Sequence, residues 1–182
     1  MGPAEQLQEQ VLVVRFQAGD AAAFTALVER HHASLCYFIN RFGVAGQAAD
    51  DIAQEVWLSA YRRLGTLREP AAFRTWLYRI ARNRVLQDAR GRKEEGPLPH
   101  DLPASDDASQ DGFSKDKAEA IHRCLPLLRP EHREVLLLRF LEEMSYEEIA
   151  VVTGAELGTV RSRLHYAKMA LRARIEEEDH AS

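Results

Sequence analysis

The stretch SYEEIAVVTGAELGTVRSRLHYAKMALR, residues 145–172, carries the clearest structural signal in this chain. Ser145 followed three positions later by Glu148 predicts a capping box at the start of a helix. Gly154 can adopt the positive φ of a helix C-cap, so this first helix should be short. A longer helix should follow the turn and run to about Arg174. A short helix, a glycine-bearing turn and a longer basic helix together predict a helix-turn-helix.

The longer helix has one apolar face and one face suited to DNA. At about 100° per residue, the apolar residues that share a narrow arc and should pack inward are Val160, Leu164, Ala167 and Leu171. In a helix-turn-helix, the N-terminal part of the second helix enters the major groove, where arginine and serine offer donors to base edges and phosphates. A helical hairpin with a solvated basic face is the alternative, but the capping box, the turn glycine and the absence of acids favour DNA binding. The candidate DNA contacts are Thr159, Arg161, Ser162, Arg163, His165, Tyr166 and Lys168.

The charges are distributed unevenly along the chain, although the formal net charge is −4. Residues 68–93 contain eight arginines or lysines against two acids, and residues 157–175 contain five basic residues and no acid. Residues 94–116 contain seven acids and one lysine. Two basic segments separated by an acidic one suit a polyanionic partner. Two solvated helix faces would give the same composition, so charge alone leaves both interpretations open.

The sequence as a whole predicts an all-α protein of two small helical domains joined by a flexible linker. No alternating Val/Ile/Thr run bounded by turn residues indicates a strand. Residues 94–116 are rich in proline, serine and acids and have no periodic apolar face, which predicts the linker. The expected organisation is an N-terminal extension over 1–15, a first domain over 16–92, the linker over 93–117, a helix-turn-helix domain over 118–176 and a tail over 177–182. The acidic tail should be frayed.

The segment FRTWLYRIARNR, residues 73–84, alternates arginines with aromatic residues. On a helical wheel, the residues that face the core are Phe73, Leu77 and Ile80. One outer side carries Arg74, Tyr78 and Arg82. A ridge at the opposite edge of the apolar stripe carries Trp76, Arg79 and Asn83. A ridge of aromatic, cation and amide can stack on unpaired bases and hydrogen-bond to them, but a solvated helix face explains the same pattern equally well.

Three segments of the chain resemble a known protein family. ADDIAQEVWLSAYRRL, residues 49–64, followed by AAFRTWLYRIARNR, residues 71–84, resembles the promoter-melting domain of bacterial sigma factors. Residues 133–172 resemble their C-terminal helix-turn-helix domain. The chain has no room for the additional domains of primary sigma factors, so it resembles the two-domain extracytoplasmic-function (ECF) class. This resemblance implies a non-enzymatic protein that binds core RNA polymerase, directs it to promoters and helps to open the DNA.

The resemblance also implies a polymerase-binding face. In the family, the acidic and amide residues of the DDIAQE helix dock on a coiled coil of the largest polymerase subunit. The corresponding residues here are Asp51, Gln54 and Glu55. Because Asp51 and Glu55 are four positions apart, they should project from the same side of a helix. Without the family, an ordinary solvated acidic edge would be the favoured interpretation.

The resemblance further implies two DNA elements. A loop at about residues 66–72 should capture an unstacked base of the −10 element, with Pro70 stiffening the loop. The implied −10 and melting residues are Arg68, Arg74, Trp76, Arg79, Arg82 and Asn83. The helix-turn-helix residues named above should read double-stranded −35 DNA, although Tyr166 and Lys168 stand where family members often have arginine. An anti-sigma factor is an expected further partner, and no cofactor or metal is expected.

Two other functions are possible from the sequence. One is a stand-alone helix-turn-helix regulator whose first half is a dimerisation or sensing domain. The other is an enzyme or metal sensor built on His31, His32 and Cys36, which is less favoured because four good ligands are not in view. The chain has neither an apolar run of membrane-spanning length nor a signal peptide, which predicts a cytoplasmic protein with no membrane insertion.

Overall fold

A computed structural model describes residues 2–44, 46–95 and 115–181. All regular secondary structure in these residues is helical, which confirms the predicted all-α class. The helices are α1 (Pro3–Gln17), α2 (Ala21–Phe42), α3 (Gln47–Arg63), α4 (Phe73–Glu95), α5 (Lys115–Cys124), α6 (Pro130–Leu136), α7 (Tyr146–Thr153) and α8 (Leu157–Ala181). Short 3₁₀ turns occupy Leu64–Thr66, Pro70–Ala72 and Leu125–Leu127, and α6 continues into a π-helical turn at Leu137–Leu141.

The first half of the chain folds around α2. Gly19, with φ of +99°, turns the chain after α1, and the carboxylate of Asp20 then caps α2 by accepting from the Ala22 amide at 3.0 Å. A sharp corner between two helices commonly has a residue with positive φ after the first helix and a carboxylate at the N-cap of the second. α1 consequently packs back on α2, and Val13 is fully buried between them and the rest of the core.

The apolar stripes of α3 and α4 form the core of this half. The buried members on α3 are Ile52, Val56, Trp57 and Ala60. On α4, Phe73 and Leu77 are buried as predicted, and Ile80 is partly buried against the same core. Pro70 opens a 3₁₀ turn that leads directly into α4, because its fixed φ suits the first position of a helix.

The second half is built on the helix-turn-helix. Helix α7 ends at Thr153, and Gly154 follows with φ of +67°, as the sequence predicts. The expectation of a frayed tail was wrong, because α8 continues to Ala181. Its last turns are held by ion pairs of Arg172 with Glu176 at 2.8 Å and Arg174 with Glu177 at 3.0 Å, and such pairs support a helix at these spacings.

The two halves pack against each other over described residues on both sides. α7 lies on α4 and α6 lies on α2. The Arg133 guanidinium, which is buried, donates at 3.1 Å to the Arg41 carbonyl, and the Tyr37 hydroxyl lies 2.6 Å from Nδ1 of His122. Most of the predicted linker, residues 96–114, lies outside the described residues.

Candidate nucleic-acid interface

The helix-turn-helix presents its candidate DNA contacts to solvent. Of the predicted inward arc, Val160, Leu164 and Ala167 are buried, and Leu171 is partly buried against the same core. The exposed candidates are Arg161, Ser162, His165, Tyr166 and Lys168, and the half-buried ones are Thr159 and Arg163. This open polar face, which we call the recognition face, has the size and donors needed to enter a major groove.

The capping box predicted at Ser145 fixes the geometry of this motif. The Ser145 hydroxyl accepts from the Glu148 amide at 3.1 Å, and the Glu148 carboxylate accepts from the Ser145 amide at 2.7 Å. The two bonds satisfy backbone donors at the start of α7 and so fix where that helix begins, while Gly154 ends it.

The acidic face of α3 is exposed as expected. Asp51, Gln54 and Glu55 all point to solvent, whereas Ile52 and Val56 between them are buried. The Glu55 carboxylate forms an ion pair with Arg84 of α4, and both side chains remain largely accessible. A surface pair of this kind is weak, so it leaves Glu55 available to another cationic partner.

The loop before α4 is anchored by α1. The Gln17 amide donates at 2.7 Å to the Leu67 carbonyl and at 3.1 Å to the Leu64 carbonyl, and the Thr66 hydroxyl donates at 2.7 Å to the Arg63 carbonyl. Arg68 is exposed at the tip of this loop. The loop therefore has a fixed base and a free cation, which suits a site that holds a flexible strand.

The ridge predicted on α4 is present and partly accessible. Arg79 and Asn83 are exposed, and Trp76 is half-buried, with its ring centroid 6.2 Å from that of Phe73. One part of the Trp76 ring thus packs on the core, and the other part borders the exposed ridge. Both interpretations of Trp76, core contact and DNA contact, are compatible with this position.

The other outer side of α4 was predicted wrongly as exposed. Tyr78 is fully buried, and Arg74 is only 8% exposed. The rotation of the helix was right, since Arg74, Tyr78 and Arg82 do share one face, but the second half of the chain covers that face. The periodicity of one helix predicts which of its residues share a face. It does not predict whether a distant part of the chain packs on that face. We call these three residues the covered face.

Carboxylates from the second half meet the covered face. Glu134 of α6, only 2% exposed, forms an ion pair with Arg82. Burial raises the pKa of Glu134, and the guanidinium groups of Arg82 and Arg163 oppose that shift. The nearby Glu142 is also buried, and burial raises its pKa.

The role of Glu134 in this contact was not predicted from the sequence. Glu134 lies within an apolar run, REVLLL, where an ionised side chain is unusual unless it is paired. Its partner Arg82 is 52 positions away, so no local pattern could identify the pair. Gln17 was missed for the same reason, since it acts on a loop about fifty positions later.

The histidines and the cysteine considered for a metal site serve other contacts. His31 is buried, with Nε2 at 2.6 Å from the Glu9 carboxylate. His32 faces the Cys36 thiol at 3.5 Å and accepts from the Trp57 indole at 3.3 Å. No cluster of three or more potential metal ligands occurs within the described ranges. Nor is any described helix long and apolar enough to cross a lipid bilayer.

Comparison with known proteins identifies both halves of the chain. Residues 27–95 match the family model of Sigma-70 region 2, and residues 118–171 match that of Sigma-70, region 4. The RNA polymerase sigma-H factor of Pseudomonas aeruginosa is 38% identical over 182 residues, covering 91% of this chain and 93% of that protein. The ECF RNA polymerase sigma-E factor of Escherichia coli K12 is 33% identical over 189 residues, covering 95% of this chain and 97% of that one.

The chain belongs to the ECF RNA polymerase sigma factors. As a sigma factor it binds RNA polymerase and acts in promoter-specific initiation of transcription. A stand-alone regulator is not favoured, because the region 2 match occupies the half that this alternative assigned to sensing or dimerisation. In fold, the sigma factor is similar to the sigma factor RpoE of Bartonella quintana, solved with the anti-sigma factor NepR, at a TM-score of 0.71 and 21% identity over 84% of this chain and 96% of that one.

Proposed function

We propose that this sigma factor divides its task among three surfaces. The exposed acidic face of α3 (Asp51, Gln54 and Glu55) docks on core RNA polymerase. The loop at residues 66–72 and the ridge of α4 hold the melted −10 strand. The recognition face of α8 reads the −35 element as a duplex. The observation that supports this division best is that all three surfaces present accessible polar side chains on one chain, in the order that the family match requires.

The acidic face supports docking through its charge and its rigidity. Its side chains stand on a helix whose opposite side is fully packed, so their positions are fixed before binding. Acidic groups steer association with a basic partner surface and suppress wrong partners. Because the only ion pair of Glu55 in the described residues is a weak surface pair with Arg84, little has to be broken when the polymerase binds.

The −10 assignments differ in their support. Arg68, Arg79 and Asn83 are exposed and can act without rearrangement, and the half-buried Trp76 can offer one part of its ring to a base. Arg74 and Arg82 belong to the covered face, so they can act only after the two halves separate. The −35 residues need no such change.

An anti-sigma factor is a further proposed partner, and the sigma factor is proposed to work in the cytoplasm without catalysis of its own. An apolar groove of about 540 Å³ supports such a partner; it lies between α2, α5, the π-helical turn and α8, and Phe140 and Leu141 are exposed along it. A bound inhibitor should protect the amides of Phe140 and Leu141 from hydrogen exchange. Unchanged exchange at these amides would place the inhibitor elsewhere.

Reconstitution tests the proposed function as a whole. The purified chain is mixed with core RNA polymerase and a library of genomic promoter fragments, and the transcripts are sequenced. We expect a stable complex and initiation at a small set of fragments that share −35 and −10 sequences. Core polymerase alone is the control. A chain that forms no complex with the core enzyme at low salt would contradict the proposal.

A further inference from the structure

Helix α1 is apolar on two opposite sides, although only one of them packs on the protein. Its inner side contributes Val13, which is fully buried, and Phe16, which is partly buried against the core. Its outer side carries Leu7, Val11 and Val14, which are 62%, 49% and 51% exposed. A helix with apolar residues all round is normally covered on both sides. The outer side of α1 is therefore a surface that nothing covers within the described part of the chain.

The exposed apolar residues of α1 follow the spacing of a coiled coil. Leu7, Val11 and Val14 are separated by four and then by three positions. Ala4 and Ala18, both exposed, extend the same alternation by one position in each direction. Apolar residues spaced in this way form a seam through which two helices pack, because each side chain enters a hole on the partner helix. We call these five residues the α1 seam, and their spacing indicates that its partner is another α-helix.

An open groove lies beside the α1 seam, between α1 and α2. It has a volume of about 460 Å³, and its lining includes Leu7 and Val11 of the seam and Ala26 of α2. Arg30 of α2 borders the groove and is held in place there, since its guanidinium donates to the Glu5 carbonyl at 3.2 Å. The short Ala26 side chain leaves room for a neighbouring helix to approach closely. A helix laid along the seam therefore contacts α2 as well as α1.

The residues that flank the α1 seam decide which helix fits it. In a coiled coil, charges at the flanking positions select the partner. These positions hold three neutral residues, Gln8, Gln10 and Gln17, and one cation, Arg15. The Arg15 guanidinium is already paired with the Asp20 carboxylate of its own chain at 2.6 Å. An identical helix therefore meets no unpaired like charge at these positions, whereas a strongly charged helix finds no free counter-charge there.

The α1 seam is itself a helix of the kind that fits such a seam. We propose that the free sigma factor forms a symmetric dimer in which α1 of one copy packs along α1 of a second copy. Packing on the core already holds α1 helical, so association does not carry the cost of nucleating a helix. In a two-fold dimer, the same patch on both copies forms the contact. Because the seam is only five positions long, the dimer is weak and depends on concentration.

The dimer goes beyond the proposed function, because α1 carries none of the side chains assigned to polymerase or to DNA. Sedimentation equilibrium of the unmodified full chain tests it. We expect the average mass to rise from monomer towards dimer between about 5 µM and about 500 µM, the range in which weak interfaces associate. A chain that stays monomeric throughout this range overturns the proposal. If such a chain loses affinity for core polymerase on Leu7→Glu with Val11→Glu, the polymerase occupies the seam instead.

Two double variants test whether the seam forms the dimer. Leu7→Glu with Val11→Glu should raise the dissociation constant of the dimer at least about tenfold, because like charges from the two copies then meet along the seam. Leu127→Glu with Val151→Glu is the matched control, since it adds the same charges at exposed apolar positions of the second half. The control should dimerise like the unmodified chain. Equal losses in the two double variants overturn the proposal.

A neutral variant covers the case in which Leu7→Glu with Val11→Glu loses its helical circular dichroism. Val14→Gln removes one apolar side chain of the seam from each copy and adds no charge. It should raise the dissociation constant of the dimer at least about threefold, because less apolar surface is then buried. An unchanged dissociation constant in a folded Val14→Gln chain overturns the proposal.

A spin label on α1 locates the contact between the two copies. Gln6→Cys places the label at an exposed position of α1, and Cys36→Ala with Cys124→Ser removes the native thiols. At high concentration we expect a defined distance between the labels of two copies, which disappears on dilution with excess unlabelled chain. A dimer that gives no such distance is formed by another surface, and that result overturns the proposal.

Discussion

The recognition face of α8 and the covered face of α4 are both rich in basic side chains, but they differ in accessibility. Arg161, His165 and Lys168 are exposed, whereas Arg74 is buried and Arg82 is paired with Glu134. A polar helix face is therefore not yet a binding surface. Whether it is accessible depends on what the rest of the chain packs against it.

The difference teaches how this sigma factor separates two tasks. Under the proposed function, the exposed recognition face needs no rearrangement to meet duplex DNA. The exposed loop and ridge are likewise accessible to a melted strand, whereas Arg74 and Arg82 are not.

The largest effect is expected from reversing the charges on the acidic face of α3, which is proposed to dock on core polymerase. Asp51→Arg with Glu55→Arg should lower the affinity for core polymerase by at least about 100-fold, because like charges then face the basic partner surface. The fold should persist, since both side chains are exposed. Affinity is measured by fluorescence anisotropy of labelled chain titrated with core enzyme. Glu29→Arg with Glu147→Arg is the control, and equal binding by the two double variants would place the docking face elsewhere.

The next effect concerns the open recognition face. Arg161→Ala should weaken binding of the polymerase complex to promoter duplex by about tenfold and reduce the slope of log affinity against log salt by about 0.9, if the guanidinium contacts one phosphate. Arg172→Ala is the control, since Arg172 is an exposed arginine about three turns further along the same helix and outside the recognition face. An unchanged salt slope would remove the phosphate role from Arg161.

A smaller effect is expected on the exposed ridge beside the covered face. Asn83→Ala should cost about fivefold in affinity for one preferred −10 base and leave other bases nearly unaffected, because an amide can pair with a base edge at two points. Gln87→Ala, one turn further along and also exposed, serves as the control. The readout is competition among single strands that differ at one position. Equal losses for every base would indicate a phosphate contact instead.

The smallest effect is the pH dependence of the covered face. Burial raises the pKa of Glu142 while the two halves are in contact, so their contact takes up a proton and becomes more favourable as pH falls through that raised pKa. The groups facing this carboxylate are Tyr78, Arg74, His31 and Glu9. Lowering the pH from neutrality towards the ordinary glutamate pKa of about 4.3 should increase the population with a short distance between spin labels at residues 58 and 151, by at most about tenfold per pH unit.

Glu142→Gln is the control for this titration, because the amide resembles the protonated acid and removes the proton uptake. In that variant the distance distribution should no longer depend on pH over the same range. A pH dependence that survives the substitution would show that Glu142 is not the titrating group.

Structural features that depend on residues close together in the sequence could be predicted, and those that depend on distant residues could not. The helix-turn-helix was predictable because Ser145, Glu148 and Gly154 act within a few residues of one another. The apolar stripes of α3 and α4 were predictable for the same reason. The burial of Tyr78 was not, since its partners, Ser34 and Phe38 on α2 and Glu142 in the second half, all lie far from it in the sequence. The extension of α8 was not predicted, because the acidic end indicated a frayed tail; in the structure Glu176, Glu177 and Glu178 each pair with an arginine.

The most direct test of this account is the distance between residues 58 and 151, measured by spin labels in the free sigma factor and again in its complex with core RNA polymerase. The account predicts a short distance in the free chain and a single, clearly longer distance in the complex, where α4 and the recognition face must serve separate promoter elements. A short distance that persists in a complex active in transcription would contradict it.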